Sequence, residues 1–190
     1  LVLRNQEYNL SRITEKDEFD IKHVADSLLL ARFFPEIATQ KLSIADIGCG
    51  AGFPSLVLAA AFPNLKITAI DSTGKKVKFV GETAAAVGLT NLKAVHGRST
   101  ELNRQNEYLR RFDIVTARAV AASPIIFLDS CNFIKPNGRF LFYKPPAQAA
   151  EEMPALNVCC KKIPMHWELT SEYELPGNAG SRVFIIGKKA

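Results

Sequence analysis

The sequence lacks any uninterrupted apolar stretch of the roughly 18 residues that a membrane span needs, and its N-terminus lacks the apolar core of a signal peptide. Those absences predict a soluble, cytoplasmic protein with no membrane partner. The four cysteines, at positions 49, 131, 159 and 160, follow neither a zinc-ligand nor a Cys-x-x-Cys spacing, and two of them are adjacent. No metal site and no disulfide framework are expected, only buried reduced thiols. No repeat or low-complexity tract interrupts the 190 residues, which are 47% hydrophobic. One well-buried core in a single domain over residues 1–190 is expected; a monomer is the working expectation, although the sequence does not decide the oligomeric state.

The net charge of +5 is a mild excess, compatible with an anionic partner such as nucleic acid but not demanding one. It is partly clustered, in Lys75-Lys76-x-Lys78, Arg110-Arg111, Lys161-Lys162 and Lys188-Lys189, with Arg12, Lys22 and Arg32 nearer the N-terminus. Most of these pairs read as solvated ends of helices or strands.

From residue 44 onward strand-like and helix-like patterns alternate, which predicts an α/β protein with a mostly parallel sheet and helices on both faces. Ile44 to Ile47 reads as the first strand. Pro54 suits a first helical turn, where its missing N–H costs nothing, and Ser55 to Phe62 continues that helix. Leu65 to Ile70 is the second strand. Ser72 or Thr73 can cap a helix in which Val77, Val80, Ala84 and Val87 recur at helical spacing before Gly88 stops it. Leu92 to His96 and Phe112 to Ala117 read as strands three and four, Pro124 to Ile134 as an apolar helix, Lys135-Pro-Asn-Gly138 as a turn and Arg139 to Tyr143 as strand five. Beyond it, Val158 to Pro164, Trp167 to Leu175 and Arg182 to Gly187 read as strands without long helices between them, so some antiparallel pairing is expected. Residues 1–43 form a helical N-terminal cap in which Asp26 to Phe34 is the clearest helix.

Asp46-Ile-Gly-Cys-Gly-Ala-Gly-Phe-Pro54 follows the first strand, and Asp71 closes the second. The glycines stand at 48, 50 and 52, and Phe53 occupies the place where a dinucleotide fingerprint would carry its third glycine. The spacing leans away from NAD and towards S-adenosylmethionine (SAM). Gly48, Gly50 and Gly52 permit close backbone approach to the methionine and ribose of that cofactor, and the Phe53 backbone continues the loop. Asp71 is placed to accept hydrogen bonds from both ribose hydroxyls. Asp46 and Ser72, which begin the motif and follow the acid, join the candidate set. Ser99 and Thr100, after strand three, fall where an open α/β sheet meets the adenine, although either could equally cap a helix. A purely structural role for the glycines and for Asp71 is the alternative. The strand before, the proline-initiated helix after and the acid on the next strand end together argue against it.

The methyl acceptor should meet the sulfonium at the end of strand four, which reads Thr116-Ala-Arg118-Ala119. It carries neither the Asn/Asp-Pro-Pro-aromatic run of enzymes that methylate exocyclic amines nor the cysteine nucleophile of carbon-5 pyrimidine enzymes. Lys144-Pro145-Pro146 follows strand five instead, has lysine at the deciding place, and reads as an edge turn. A purine ring nitrogen such as guanine N7 fits this pattern, because its lone pair is already available and no base must remove a proton. Arg118 is then a positioning and cofactor-contacting residue, its fork suited to a guanine O6, a phosphate or the cofactor carboxylate.

Asn9-Leu-Ser-Arg-Ile13, His23-Val-Ala-Asp26-Ser27, the 46–54 motif, Asp71-Ser72, Gly97-Arg98 and Arg118-Ala119, in that order, resemble the RsmG (GidB) family of bacterial small-subunit ribosomal RNA methyltransferases. The resemblance implies a Rossmann-like SAM-dependent fold and methylation of guanine N7 in 16S ribosomal RNA, either free or in an assembling small subunit. Carried over residue by residue, it places cofactor contacts on Gly48, Phe53, the Ser99-Thr100 pair and Arg118. The chain departs from the family pattern at Ser99-Thr100, commonly Ala-Glu, and at Cys49 and Ala51, commonly Pro or Ala. Backbone-mediated contacts would tolerate the first change and small residues the second. His23 and Asp26 match a family element and share a helical face at i, i+3, so they either position the cap over cofactor and guanine or simply hold it to the sheet. Neither is needed as a general base. Two rivals stand beside the enzyme: a non-catalytic RNA-binding or ribosome-assembly protein that retains the SAM-binding fold, and an NAD-linked oxidoreductase that Phe53 disfavours.

Overall fold

The computed structural model describes residue 13, residues 15–159 and residues 163–189. Asn9 to Arg12, Cys160 and Lys161-Lys162, singled out in the sequence, lie outside the described residues. Among those described, no helix is long and apolar enough to cross a membrane.

From Lys16 to Phe33 the N-terminal cap is one helical run with a defect in it. α1 (Lys16–Phe19) passes through a π-helical segment, Asp20–Ala25, into α2 (Asp26–Phe33), and α3 (Glu36–Thr39) ends the cap. A π segment inserts a residue into the α ladder and is found preferentially at functional sites. Here it carries His23, half-buried, just ahead of the buried Asp26.

The core then follows as β1 (Ser43–Ile47), α4 (Ser55–Ala61), β2 (Lys66–Asp71), α5 (Gly74–Ala86), β3 (Leu92–His96), α6 (Ser99–Leu102), β4 (Phe112–Arg118), α7 (Ser123–Ser130), β5 (Ile134–Lys144), α8 (Pro146–Cys159), β6 (Met165–Leu169), β7 (Tyr173–Glu174) and β8 (Ser181–Lys189). The sheet order is β3-β2-β1-β4-β5-β8-β6, with β7 also on β8. β1 to β5 are mutually parallel, and β8 runs antiparallel to both β5 and β6. Successive residues along the central strands point to opposite faces. Ile44, Ile114, Leu141 and Phe184 pack beneath Leu30, Ile37 and Leu58, whereas Val115, Phe140, Phe142 and Ile185 pack beneath Phe127, Leu156 and Trp167. Burial on both faces is why these strands read as continuous apolar runs. Order reverses between β1 and β4, so a crevice opens at their carboxyl ends, where ligands of such sheets bind.

Several boundaries differ from the sequence expectations. Val87 is not on the buried stripe of α5: it is exposed, and Phe79 packs in the core with Val80 and Ala84. α7 ends at Ser130 and Ile134 already belongs to β5, because Phe133 and Ile134 are fully buried against the sheet. Lys135 to Gly138 is an excursion inside β5, with Ile134 paired to Phe112 and Arg139 to Ile114. The expected strand Trp167 to Leu175 is split into β6 and β7.

The largest correction is α8. Lys144-Pro145-Pro146 is not an edge turn. Lys144 ends a strand covered on both sides by β4 and β8, and Pro146 opens a 14-residue helix that absorbs Val158 and Cys159, read from sequence as a strand start. Pro at a helix start loses nothing, and the apolar residues of α8 are too scattered, with Pro154 inside, to advertise an amphipathic period.

Candidate active site

The glycine loop after β1 wraps a cleft of about 580 Å³ at the crevice between β1 and β4. Gly48, Gly50 and Gly52 all have positive φ, at 67°, 56° and 91°. A Cβ on Gly48 would lie 2.6 Å from a Val120 methyl, so nothing but glycine fits between the loop and the chain leaving β4. Ala119 itself sits at φ 53°, an uncommon conformation for a residue with a side chain, and this turn brings Val120 back over Gly48.

Asp71 buckles the loop to β2. One carboxylate oxygen accepts the Gly50 N–H at 2.9 Å and the other accepts the Thr73 N–H at 2.8 Å. Each oxygen retains a lone pair for a further donor, and Asp71 lines the cleft. Asp46 lies beneath the loop rather than in the cleft wall. Its Oδ2 accepts the Ser55 hydroxyl at 2.6 Å, its Oδ1 has no partner, and burial pushes its carboxyl up to about 7 against the opposing pulls of Ser55 and Arg118. The neighbouring Cys49 thiol is pushed up as well, chiefly by burial, and is no nucleophile at neutral pH.

Of the residues singled out in sequence, His23, Gly48, Gly50, Phe53, Asp71, Ser72, Ser99, Thr100 and Arg118 line this cleft together. Gly52, Asp46 and Asp26 do not. Gly52 shapes the turn, where an added Cβ would strike Leu56 at 2.4 Å. Arg98, part of the Gly97-Arg98 motif, lines it as well, and Thr73, Lys76, Val120 and Asp129 line it without having been foreseen as site residues. Thr73 and Val120 are chain neighbours of the recognised motifs, which was the available signal.

Arg118 lines the cleft and is also tied to the cap. Its guanidinium donates to the Asp26 carboxylate at 2.9 Å and to the Lys22 carbonyl at 3.0 Å, and meets His23 Nδ1 at 3.2 Å. The fork thus clamps the cap to the end of β4 while Arg118 lines the cleft. Arg182 on β8 donates to the other Asp26 oxygen at 3.1 Å, so one buried carboxylate ties three elements together. The His23 ring stacks on Phe53, with centroids 4.4 Å apart and planes 7° from parallel. Burial, reinforced by the Arg118 charge, depresses the His23 imidazole to about 4, so it is neutral at physiological pH. Its ring is a spacer between the cap and the glycine loop.

A second cavity of about 270 Å³ lies behind this clamp. It shares His23, Arg118, Ala119 and Val120 with the first, so the two adjoin along that segment. Lys144 and Gln148 also line it. Lys144 is buried and donates to Glu152 at 2.9 Å and to the Ala121 carbonyl at 3.1 Å, while the other Glu152 oxygen accepts the Ser123 N–H at 2.8 Å. Glu152 is held below the usual range despite its burial, because Ser123 and Lys144 stabilise its charge.

Comparison with known proteins finds the chain similar to rRNA small subunit methyltransferases. The GidB family model, described as rRNA small subunit methyltransferase G, matches residues 1–171. Ribosomal RNA small subunit methyltransferase G of Limosilactobacillus reuteri is 38% identical over 187 residues, 98% of this chain and 77% of the relative. The protein of the same name from Lactobacillus delbrueckii subsp. bulgaricus is 34% identical over 189 residues, 100% of this chain and 79% of the relative. Among solved structures, a SAM-dependent methyltransferase from Aquifex aeolicus superimposes with a TM-score of 0.67 at 14% identity, covering 92% of this chain and 94% of that one. At that identity the likeness speaks for the fold alone.

Proposed function

The chain belongs to the GidB family of rRNA small subunit methyltransferases, and from that premise we propose that it transfers a methyl group from SAM to N7 of a guanine in small-subunit (16S) ribosomal RNA. The observation that carries the reading is the cleft at the carboxyl ends of the parallel strands, in which Gly48 and Gly50, both at positive φ, lie beside the Asp71 carboxylate. These residues fit the cofactor. The gap between Gly48 and Val120 admits only backbone, and Asp71 keeps acceptor capacity for ribose hydroxyls after buckling the loop.

When bound, SAM supplies an electrophilic methyl group on a positively charged sulfonium. Gly48, Gly50 and Phe53 hold its methionine and ribose end, Asp71 with Ser72 its ribose, and Ser99 and Thr100 its adenine. Arg118 serves by fixing the cap through Asp26 and His23, which closes the cleft on one side. Guanine N7 needs no general base, and a neutral His23 is compatible with that chemistry. The rate gain then comes from proximity and orientation, an effect able to supply roughly 7–11 kcal/mol in favourable cases.

The test is transfer of labelled methyl from SAM to small-subunit RNA, free or assembled, from cells that lack the enzyme. Label should appear on N7 of one guanine, and RNA that already carries the modification should accept none. Binding of SAM without any transfer would overturn the proposal in favour of a non-catalytic RNA-binding protein. Docking should also weaken with added salt, since phosphate contacts release counterions.

A further inference from the structure

An in-line methyl transfer places the acceptor on the side of the methyl opposite the departing sulfide, so the base must approach from a space next to the methionine end of the cofactor cleft. The second cavity adjoins the first there, across Arg118, Ala119 and Val120, the segment that folds over Gly48. Its charged lining is Lys22, Arg118, Lys144, Arg182 and Asp26, with Glu18 and Glu152 pairing Lys22 and Lys144 from beside it, so the cavity keeps a small positive excess suited to an RNA ligand.

Two polar groups of its lining form a pair of defined chemistry. Lys144 Nζ and Gln148 Nε2 both lie 2.9 Å from Glu152 Oε1, which brings the two heads side by side. Lys144 uses two of its three donors, on Glu152 and Ala121, and keeps one. The Gln148 amide is oriented by its donation to Glu152, which leaves its carbonyl oxygen as the acceptor of a side chain that lines the cavity. A donor beside an acceptor complements the guanine edge that presents O6 beside N1–H and the 2-amino group. It opposes adenine, which presents a donor and a bare nitrogen in those places.

We propose that the second cavity is the acceptor-base pocket, and that Lys144 and Gln148, set by Glu152, read the O6/N1/2-amino edge of the guanine. The inference rests on the methyltransferase reading above. With that edge engaged, N7 is left free to face the boundary that the two cavities share, where it would meet the methyl group directly. Lys144 and Glu152 have a second task, since through Ala121 and Ser123 they hold the chain that continues from this boundary.

Gln148 is exposed at the rim, so Gln148→Leu leaves the fold intact and is the informative variant. The probe is a small-subunit RNA fragment in which the target guanosine is kept or replaced by inosine, which lacks the 2-amino group. Wild type should methylate inosine several-fold more slowly. In Gln148→Leu, kcat/KM on guanosine should fall about 10- to 100-fold, the guanosine–inosine gap should close, and the Kd for SAM should stay within twofold. Wild-type kcat/KM in Gln148→Leu, or an unchanged gap, overturns the pocket assignment. Loss of SAM binding in Gln148→Leu overturns it too, because the two cavities would then not be separate in function. Failure of the wild-type protein to methylate guanosine at all would instead defeat the function on which this assignment rests.

Discussion

Replacing Asp26 by alanine should cost far more stability than any surface charge change. The carboxylate is 2% exposed and holds two guanidinium groups at 2.9 and 3.1 Å. Removing one partner from a buried ion pair costs about 3–5 kcal/mol, because the charge left behind is desolvated and unpaired. Arg118 keeps the Lys22 carbonyl and Arg182 keeps the Ser181 carbonyl, and their side chains are 11% and 20% exposed. The loss should therefore sit near the lower end, about 3 kcal/mol. For a chain of this size that is a fall in Tm of about 6–12 °C. Urea unfolding with linear extrapolation measures it, and a double-mutant cycle with Arg118→Met isolates the pair. A coupling of at least about 1 kcal/mol is expected, since the second substitution removes one of the charges that the first leaves unpaired. Lys93→Ala, which breaks an exposed pair with Glu107, should leave the midpoint unchanged. A loss for Asp26→Ala below about 1 kcal/mol, or strict additivity in the cycle, would refute the clamp.

Asp46→Asn probes the buried acid beneath the loop. Its folded carboxyl titrates near 7 against an ordinary 3.8, so the folded state binds the extra proton and this group's contribution falls as pH rises from about 4 to about 7. At 1.36 kcal/mol per unit, the stability of Asp46→Asn relative to wild type should rise by about 4 kcal/mol across that window, and parallel profiles in denaturant titrations at pH 4.5 and 7.5 would refute it. His23, depressed to about 4, works in the opposite direction between pH 4 and 6.5, so the difference between the two proteins is the informative quantity. Asp71→Ala removes two charge-assisted bonds to backbone N–H groups, worth about 1.5–3 kcal/mol each, and calorimetry should find SAM binding weakened more than tenfold. An unchanged Kd would dismiss its role. Gly48→Ala adds both a left-handed penalty of about 1–2 kcal/mol and a clash with Val120. Combining it with Val120→Ala should recover part of the stability but not all of it; full recovery in thermal unfolding would mean that φ is irrelevant there.

The parallel half of the sheet was legible because buried strands advertise themselves as short apolar runs separated by turn residues. β3 coincides with its sequence range, and β1, β2 and β4 differ from theirs by one residue at one or both ends. The glycine loop was legible because three positive-φ positions demand glycine at fixed spacing. α8 was not, since Pro146 and Pro154 suggest a break and its apolar residues form no clear stripe. Arg182 carried no signal at all, because a lone arginine on a strand looks solvated until its partner is known.

Sequence alone determined the alternation of strands and helices through the parallel strands, the loop that shapes the cofactor cleft and the family, because each rests on local period, on φ or on motifs carried in fixed order along the chain. Tertiary structure alone decided what the charges do. Asp26 meets Arg118 and Arg182 across separations of 92 and 156 residues, which no local pattern encodes. Folding turned an arginine that looked open to substrate into a clamp for the cap. It also turned a lysine that looked like part of a turn into a buried donor beside a second cavity, where the low dielectric makes its one remaining hydrogen bond count.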